Sequence, residues 1–549
     1  MVNLIEKRTK CLLIHPKFSP YSFWNFVDVC KIVGAKYTAA PLGLMTVAAL
    51  LPDEWELKLI DTNVEPLLED YFEWADIVFT GGMLPQQTGI LDIINLAHQK
   101  QRPVVVGGPD PTSQPNLYQS ANFLVMGEGE ITIPMLLNDL ENGCKSGEYV
   151  SSDFADMTEA VVPRFDLIKF KNYIHLNIQF TRGCPYNCEF CDVIELYGRK
   201  PRSKTPEQII KELQSLYDLN YRGHVDIVDD NFIGNKKNVK TTLQAIKGWS
   251  EINNYPFYYG IETSINLADD DELLQLMKDV DFRLVFIGVE TPEDEVLEKA
   301  NKKINMNRSI IEATRKIGSY GMIVNGGFII GFDNETDQTA KKMINCVQES
   351  GICVAMFGLM YALPNTQLTK RLKLEGRLFN EFAIITDNKT QIDQATSGLN
   401  FITVRPRIDI LRDFVTVLKY IYKPEHYYER IIRTCLNIKI ANKYRHNFVN
   451  TLKNLRSFIR IVGHVGFNGI TGMLFWNMFF TVLFKNPRAI EWAISLSAMF
   501  IHFHKHSIFI INHTNQQISD INKYGEVIYN QNEHKMANTK VINYQKDVL

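Results

Sequence analysis

The sequence predicts an α/β fold in three parts: a doubly wound parallel sheet, a partial (β/α)6 barrel and a C-terminal helical domain. Three observations predict it. Short β-rich runs alternate with helical stretches over residues 8–145. A second strand–helix series starts at residue 175 and contains two matching strand ends, Gly260-Ile261-Glu262-Thr263 and Gly288-Val289-Glu290-Thr291, 28 residues apart. From Asn400 onward, apolar residues recur at helical spacing.

A chain of 549 residues is too long for one core, given about 100–200 residues per domain. The boundaries read from the pattern are a first sheet over 8–145, a connector over 146–174, a barrel over 175–399 and a helical domain over 400–511. The polar, Asn/Gln-rich tail, 512–549, is expected to be disordered.

In the first sheet, strands are expected at Cys11–His15, Leu57–Asp61, Ile77–Gly81, Pro103–Gly107 and Phe123–Met126. Helices are expected at Gly43–Leu51 and Gln87–His98. Glycines gather where strands end, at Gly81-Gly82, Gly107-Gly108 and Gly127. Ligands of open α/β sheets bind beyond these carboxyl ends, and glycine lets backbone approach a large flat or phosphorylated group. A nucleotide or a cobalamin fits that description. The dinucleotide pattern G-x-G-x-x-G is absent from the first turn.

In the barrel, strands are expected near His175–Thr181, Val225–Val228, Phe257–Ile261, Leu284–Val289, Ile323–Ile330 and Cys353–Tyr361. The active site of such a barrel opens at its C-terminal rim. On that rim, after the first strand, lies Cys184-Pro185-Tyr186-Asn187-Cys188-Glu189-Phe190-Cys191, with spacing C-x3-C-x2-C. Three thiolates can hold three irons of a [4Fe–4S] cluster and leave the fourth open to a small molecule. The bland alternative is a zinc knuckle, but zinc wants four closed ligands and the nearest extra candidate is His175, nine residues upstream.

Thr181-Arg182-Gly183-Cys184…Cys188…Cys191 resembles the signature of the radical SAM superfamily. Residues 8–435 resemble its subgroup with an N-terminal cobalamin-binding domain and a C-terminal domain of unassigned role, which includes hopanoid and bacteriochlorophyll methylases. The resemblance implies a Rossmann-like cobalamin-binding sheet and a radical SAM barrel. It implies three cofactors: a [4Fe–4S] cluster on Cys184, Cys188 and Cys191, S-adenosylmethionine, and cobalamin. It places Thr80, Gly81, Gly82, Met83, Gly107, Gly108 and Pro109 beneath the corrin or along its tail. The D-x-H-x-x-G motif that supplies histidine to cobalt elsewhere is missing, so cobalt is expected without a protein lower ligand.

S-adenosylmethionine needs acceptors for its ammonium and polar contacts for its ribose. Strand-end candidates are Asp229, Asp230, Glu262, Ser264 and Glu290; by resemblance, Phe190 and Gly331 meet the adenine. No acid or base residue can be named. Arg199, Lys200, Arg202 and Lys204 read as facing a carboxylate or diphosphate, or as a solvated loop.

In the helical domain, Asp409–Tyr422 and Tyr427–Tyr444 have helical spacing. Ile461 to Phe484 then runs 24 residues without Lys, Arg, Asp or Glu, and Trp492 to Phe503 is apolar too. Basic residues precede them, as in a protein resting on an anionic membrane. The alternatives are buried helices closing over the barrel and a true membrane span, which takes about 20 apolar residues. A net charge of −3 gives no basic field for nucleic acid. The six cysteines outside the motif read as thiols rather than disulfides, and an oxygen-sensitive cluster favours the cytoplasm.

The reading that follows is a cobalamin-dependent radical methyltransferase acting on an unactivated carbon of a small-molecule, lipid-like or isoprenoid substrate, with a flavodoxin or ferredoxin as electron donor. Two alternatives stand beside it: a radical coupling, cyclisation or rearrangement enzyme, and a membrane-surface iron–sulfur redox sensor. Oligomeric state is not legible.

Overall fold

A computed structural model describes residues 8–19, 22, 25–379, 396–444 and 448–531. Its strands are β1 (Lys10–His15), β2 (Tyr37–Ala39), β3 (Glu56–Asp61), β4 (Ile77–Gly81), β5 (Val104–Gly107), β6 (Phe123–Met126), β7 (Gly147–Val150), β8 (Tyr173–Ile178), β9 (Thr181–Arg182), β10 (Arg202–Ser203), β11 (Gly223–Ile227), β12 (Phe257–Thr263), β13 (Phe282–Glu290), β14 (Ile323–Ile330) and β15 (Ala355–Leu359).

The first sheet is parallel in the order β3-β1-β4-β5-β6-β7. Its central strands are covered on both faces, as parallel sheets require. Along β1, Cys11 and Leu13 join one hydrophobic cluster, while Leu12 and Ile14 join another against the helix Gln87–Gln99. Strand order reverses between β1 and β4, so their carboxyl ends, His15 and Gly81, flank the crevice where open sheets bind ligands.

The second sheet is also parallel, in the order β15-β14-β13-β12-β11-β8-β2. Six strands are those expected. The seventh, β2, comes from the N-terminal third, pairing Tyr37 with Tyr173 and Ala39 with His175. The outer helices begin where their caps dictate. Thr205 and Gln208 form a capping box ahead of Pro206–Asp218, and Asp270 caps Asp271–Val280.

The C-terminal helices are Arg407–Ile421, Pro424–Asn437, Phe448–Ile461, Gly469–Lys485 and Ile490–Tyr524. They pack on the barrel's outer layer, where Tyr422 donates to the Ala355 carbonyl at 2.7 Å and buried Arg430 reaches Gln348 at 3.0 Å. The expected disorder from Asn512 is corrected as far as Tyr524. Those residues continue the last helix because Thr514 and Ile521 bury one side of it. Residues 532–549 lie outside the described residues. The helix at Pro487–Tyr524 is long and apolar enough to cross a membrane by composition, yet half of its apolar window is buried in the protein. The run at 461–484 is broken by a π-helical turn at Val462–Gly466, leaving 17 residues in Gly469–Lys485.

Candidate active site

The cysteine loop leaves β8 at the barrel's C-terminal rim and is fixed from several sides. Gly183 has φ +86°, and a Cβ there would lie 2.9 Å from the carbonyl oxygens of Tyr197, Gly198 and Lys200. Only glycine turns this tightly against the returning segment. Cys184 N–H donates to the Gly198 carbonyl at 3.2 Å, and Asn231 Nδ2 lies 3.9 Å from Cys184 Sγ. Between the last two thiols, Glu189 N–H donates to Ala300 at 3.1 Å, and its carbonyl accepts from Leu368 N–H at 2.7 Å. The Glu189 carboxylate takes Arg371 Nε and Nη2, both at 3.1 Å.

Burial pushes the pKa of all three thiols up, with Lys302 opposing in each case. Binding to iron removes the proton outright. Lys302 donates to Glu290 Oε1 at 2.8 Å and stands 6.0 Å from the Phe190 ring centroid. Burial opposes its charge, but Glu290 and the thiols of Cys188 and Cys191 outweigh burial and raise its pKa. A fixed cation thus faces the loop, which suits a cluster of net negative charge. No signal in the sequence marks Lys302.

Among the described residues, no three His, Cys, Asp or Glu side chains converge as one metal ion requires. A four-iron cluster instead spreads its thiolates over separate corners. His175, the spare ligand of the zinc reading, is committed elsewhere. It contacts Asn177 Oδ1 at 2.9 Å and lies 3.6 Å from Asp226.

The strand-end acids divide into two kinds. Asp229 is fully buried and accepts from Phe180 N–H at 2.7 Å, Thr181 N–H at 2.9 Å and Thr181 Oγ1 at 2.7 Å. It clamps the start of the cysteine loop rather than facing a ligand, which corrects its expected role. Ser264 is similarly occupied: its hydroxyl donates to Asn266 Oδ1 at 2.6 Å and its backbone N–H to Asn231 Oδ1 at 3.3 Å. Glu290, at φ +62°, is engaged by Lys302.

Asp230 and Glu262 have no ion pair among the described residues. Asp230 is solvent-accessible but recessed; its surroundings, then Asp229 and Asp192, push its carboxyl up to about 7. Burial, then the charges of Asp230, Asp226 and Asp229, push Glu262 up to about 8. Asp226, lower in the barrel, is held below the usual carboxylate range because His224 and His175 outweigh its burial. Two carboxylates at one rim, without an ion-pair partner among the described residues, could hold a cation.

Phe190 meets Phe332 edge-on at 5.9 Å. Gly331, at φ +115°, donates its N–H to both oxygens of buried Glu335, at 3.0 and 2.9 Å. Glu335, which the sequence reading missed, stands four residues on from Gly331 and fixes that strand end.

In the first sheet the glycines at the ends of β4 and β5 lie backbone against backbone. A Cβ on Gly81 would collide with the Gly107 carbonyl oxygen, and Gly108 has φ +101°. They leave a side-chain-free ledge beside the switch point, with Met83 45% exposed next to it. The ledge fits a broad planar group such as a corrin. Thr80 instead ties β4 to β1 through the Ile14 carbonyl at 2.9 Å, and Pro109 opens the short helix Pro109–Ser113. His15 contacts Gln86 Nε2 at 3.3 Å, and burial lowers its pKa.

Ion pairs join the neighbouring strand end of the same sheet, just after β6, to the segments flanking the cysteine loop. Arg182 donates to both oxygens of Glu130, at 2.9 and 2.8 Å, and Arg202 pairs with Glu128. Lys204 pairs with buried Glu212. Arg202 and Lys204 are therefore engaged by carboxylates of the protein itself.

Three family models match the chain: the B12 binding domain over residues 31–137, the Radical SAM superfamily over 178–347, and a Domain of unknown function (DUF4070) over 366–516. An uncharacterized methyltransferase of Synechocystis sp. is 39% identical, covering 93% of this chain and 94% of its own. The hopanoid C-2 methylase of Rhodopseudomonas palustris is 34% identical, covering 79% of this chain and 82% of its own. Among solved structures, the cobalamin-dependent S-adenosylmethionine radical enzyme OxsB superposes with a TM-score of 0.56 at 14% identity, covering 98% of this chain and 84% of its own.

Proposed function

The chain belongs to the B12-binding-domain radical SAM methyltransferases, and on that premise we propose that it methylates an unactivated carbon of a hopanoid-type polycyclic isoprenoid. The observation that carries the substrate class is the match to the hopanoid C-2 methylase, which extends over 82% of that enzyme rather than the shared barrel alone. The cofactors are a [4Fe–4S] cluster, S-adenosylmethionine and cobalamin. When bound, the cluster supplies the electron that cleaves S-adenosylmethionine, and cobalamin supplies the methyl group.

The chain's own residues do the positioning. Cys184, Cys188 and Cys191 would hold the cluster, on a loop anchored by Glu189 and Asn231. Asp230 and Glu262 would take the ammonium of S-adenosylmethionine, and Phe190 and Gly331 would pack on its adenine. Gly81, Gly82, Gly107 and Gly108 would cradle the corrin beside Met83. The pairs Arg182–Glu130 and Arg202–Glu128 hold the sheet that carries the ledge at a fixed place relative to the loop. Alignment of this kind is the protein's main contribution to such chemistry.

We place the enzyme in the reducing cytoplasm, served by a flavodoxin- or ferredoxin-type electron donor and in peripheral contact with a membrane. The test is anaerobic reconstitution with iron, sulfide and cobalamin, followed by turnover of a hopanoid with S-adenosylmethionine labelled at its methyl group. Labelled methylhopanoid is expected, and Cys188→Ala abolishes it. Deoxyadenosine release with no methylated product would instead indicate a radical coupling or rearrangement enzyme.

A further inference from the structure

The exposed face of the helices Phe448–Ile461 and Gly469–Lys485 has no role in the site. The second helix is apolar on both sides. Phe475, Met478 and Val482 are fully buried against the core. On the outer side, Met473 is 69% exposed and Phe484 80%; Phe467, at the turn between the helices, is 82% exposed and Ile459, on the first helix, 61%. Apolar side chains this large are seldom left in water as a continuous strip.

The charge around the strip is one-sided. From Ile438 to Ile490 the chain contains eight Lys or Arg and no Asp or Glu. Lys485 and Arg488 stand exposed at the end of the second helix, beside Phe484. A second copy of this chain would set the same cations against themselves across a two-fold axis. An anionic bilayer complements both features, since its interior receives the aromatic strip and its headgroups receive the rim.

We propose that this face is a docking surface for an anionic phospholipid bilayer, on which the helical domain lies in the plane of the interface without crossing it. The buried half of the long helix Pro487–Tyr524 is consistent with that posture. The surface would bring the barrel to a lipid substrate; only that purpose rests on the substrate reading above.

The test is co-sedimentation of the full-length, cofactor-loaded protein with vesicles. Phosphatidylglycerol-rich vesicles are expected to bind at least tenfold more tightly than phosphatidylcholine vesicles, and more weakly as salt rises. Phe467→Asp with Phe484→Asp, and separately Lys485→Glu with Arg488→Glu, should each reduce binding at least tenfold. Both should keep their circular dichroism and their activity on detergent-dispersed hopanoid. Vesicle binding without any hopanoid methylation would sink the substrate reading and leave the surface standing. Binding that is absent, or unchanged in both variants, overturns the proposal. So does a dimer in sedimentation velocity that the Phe→Asp variant dissociates.

Discussion

Arg202 places its two terminal guanidinium nitrogens on the two carboxylate oxygens of Glu128, at 2.8 and 2.6 Å. Arg202 lies on β10, paired to the strand that leads into the cysteines, and Glu128 follows the end of β6. The Glu128 side chain is 2% exposed. The pair therefore joins the two cofactor-bearing rims through a nearly dry contact, where a bidentate guanidinium is hard to replace.

Removing one partner of such a pair costs about 3–5 kcal/mol. Arg202→Ala should therefore lower the melting temperature, and it should depress methyl transfer far more than reductive cleavage of S-adenosylmethionine. Assaying both products on one sample checks this. Equal losses in both would mean the pair only stabilises the fold.

Lys302 sets a positive charge against the cysteine loop. A nearby cation favours the more negative, reduced state of a cluster. Lys302→Gln is expected to shift the reduction potential to more negative values and slow S-adenosylmethionine cleavage, with iron content unchanged. Redox titration followed by electron paramagnetic resonance reads the shift.

The recessed setting of Asp230, with Asp229 and Asp192 beside it, raises its carboxyl to about 7, and burial followed by the charges of Asp230, Asp226 and Asp229 raises Glu262 to about 8. At pH 6 both are largely protonated and attract an ammonium weakly. S-adenosylmethionine should therefore bind more tightly as pH rises from 6 to 8.5, by about tenfold or more if both acids contribute. Stability without the ligand moves the other way. These folded-state values lie above the unfolded ones, so the native state holds more protons and loses stability as pH rises toward 8. Calorimetric titration and thermal melts across this range test the two halves separately, and Glu262→Gln should flatten both.

Gly81→Ala would drive a methyl group into the Gly107 carbonyl. Cobalamin should fail to load, with its visible spectrum lost from the reconstituted protein, while iron and sulfide contents stay normal. Normal cobalamin loading would remove the ledge from the binding site.

Much of this was legible from local patterns. The cysteine spacing, the glycine-ended strands and five first-sheet strands are written in consecutive residues, and the structure finds them within a residue or two. The strand β2 was not legible, since Tyr37–Ala39 is too short to have a period. Asp229 looked like its neighbour Asp230; only the fold shows that it is fully occupied by Phe180 and Thr181. Arg202 and Glu128 are 74 residues apart, and no local signal joins them. The last helix was cut short because its outer face is polar, and only burial of Thr514 and Ile521 shows that it continues.

Because β2 closes the free side of β8, the catalytic barrel borrows its border from the other half of the gene product. A clone starting after residue 146 would leave β8 as a bare edge, open to pairing with any passing chain. The halves of this enzyme were never separable modules: dissecting it at the obvious linker should give sticky, insoluble fragments, and grafting its barrel onto another carrier would mean taking Tyr37–Ala39 along.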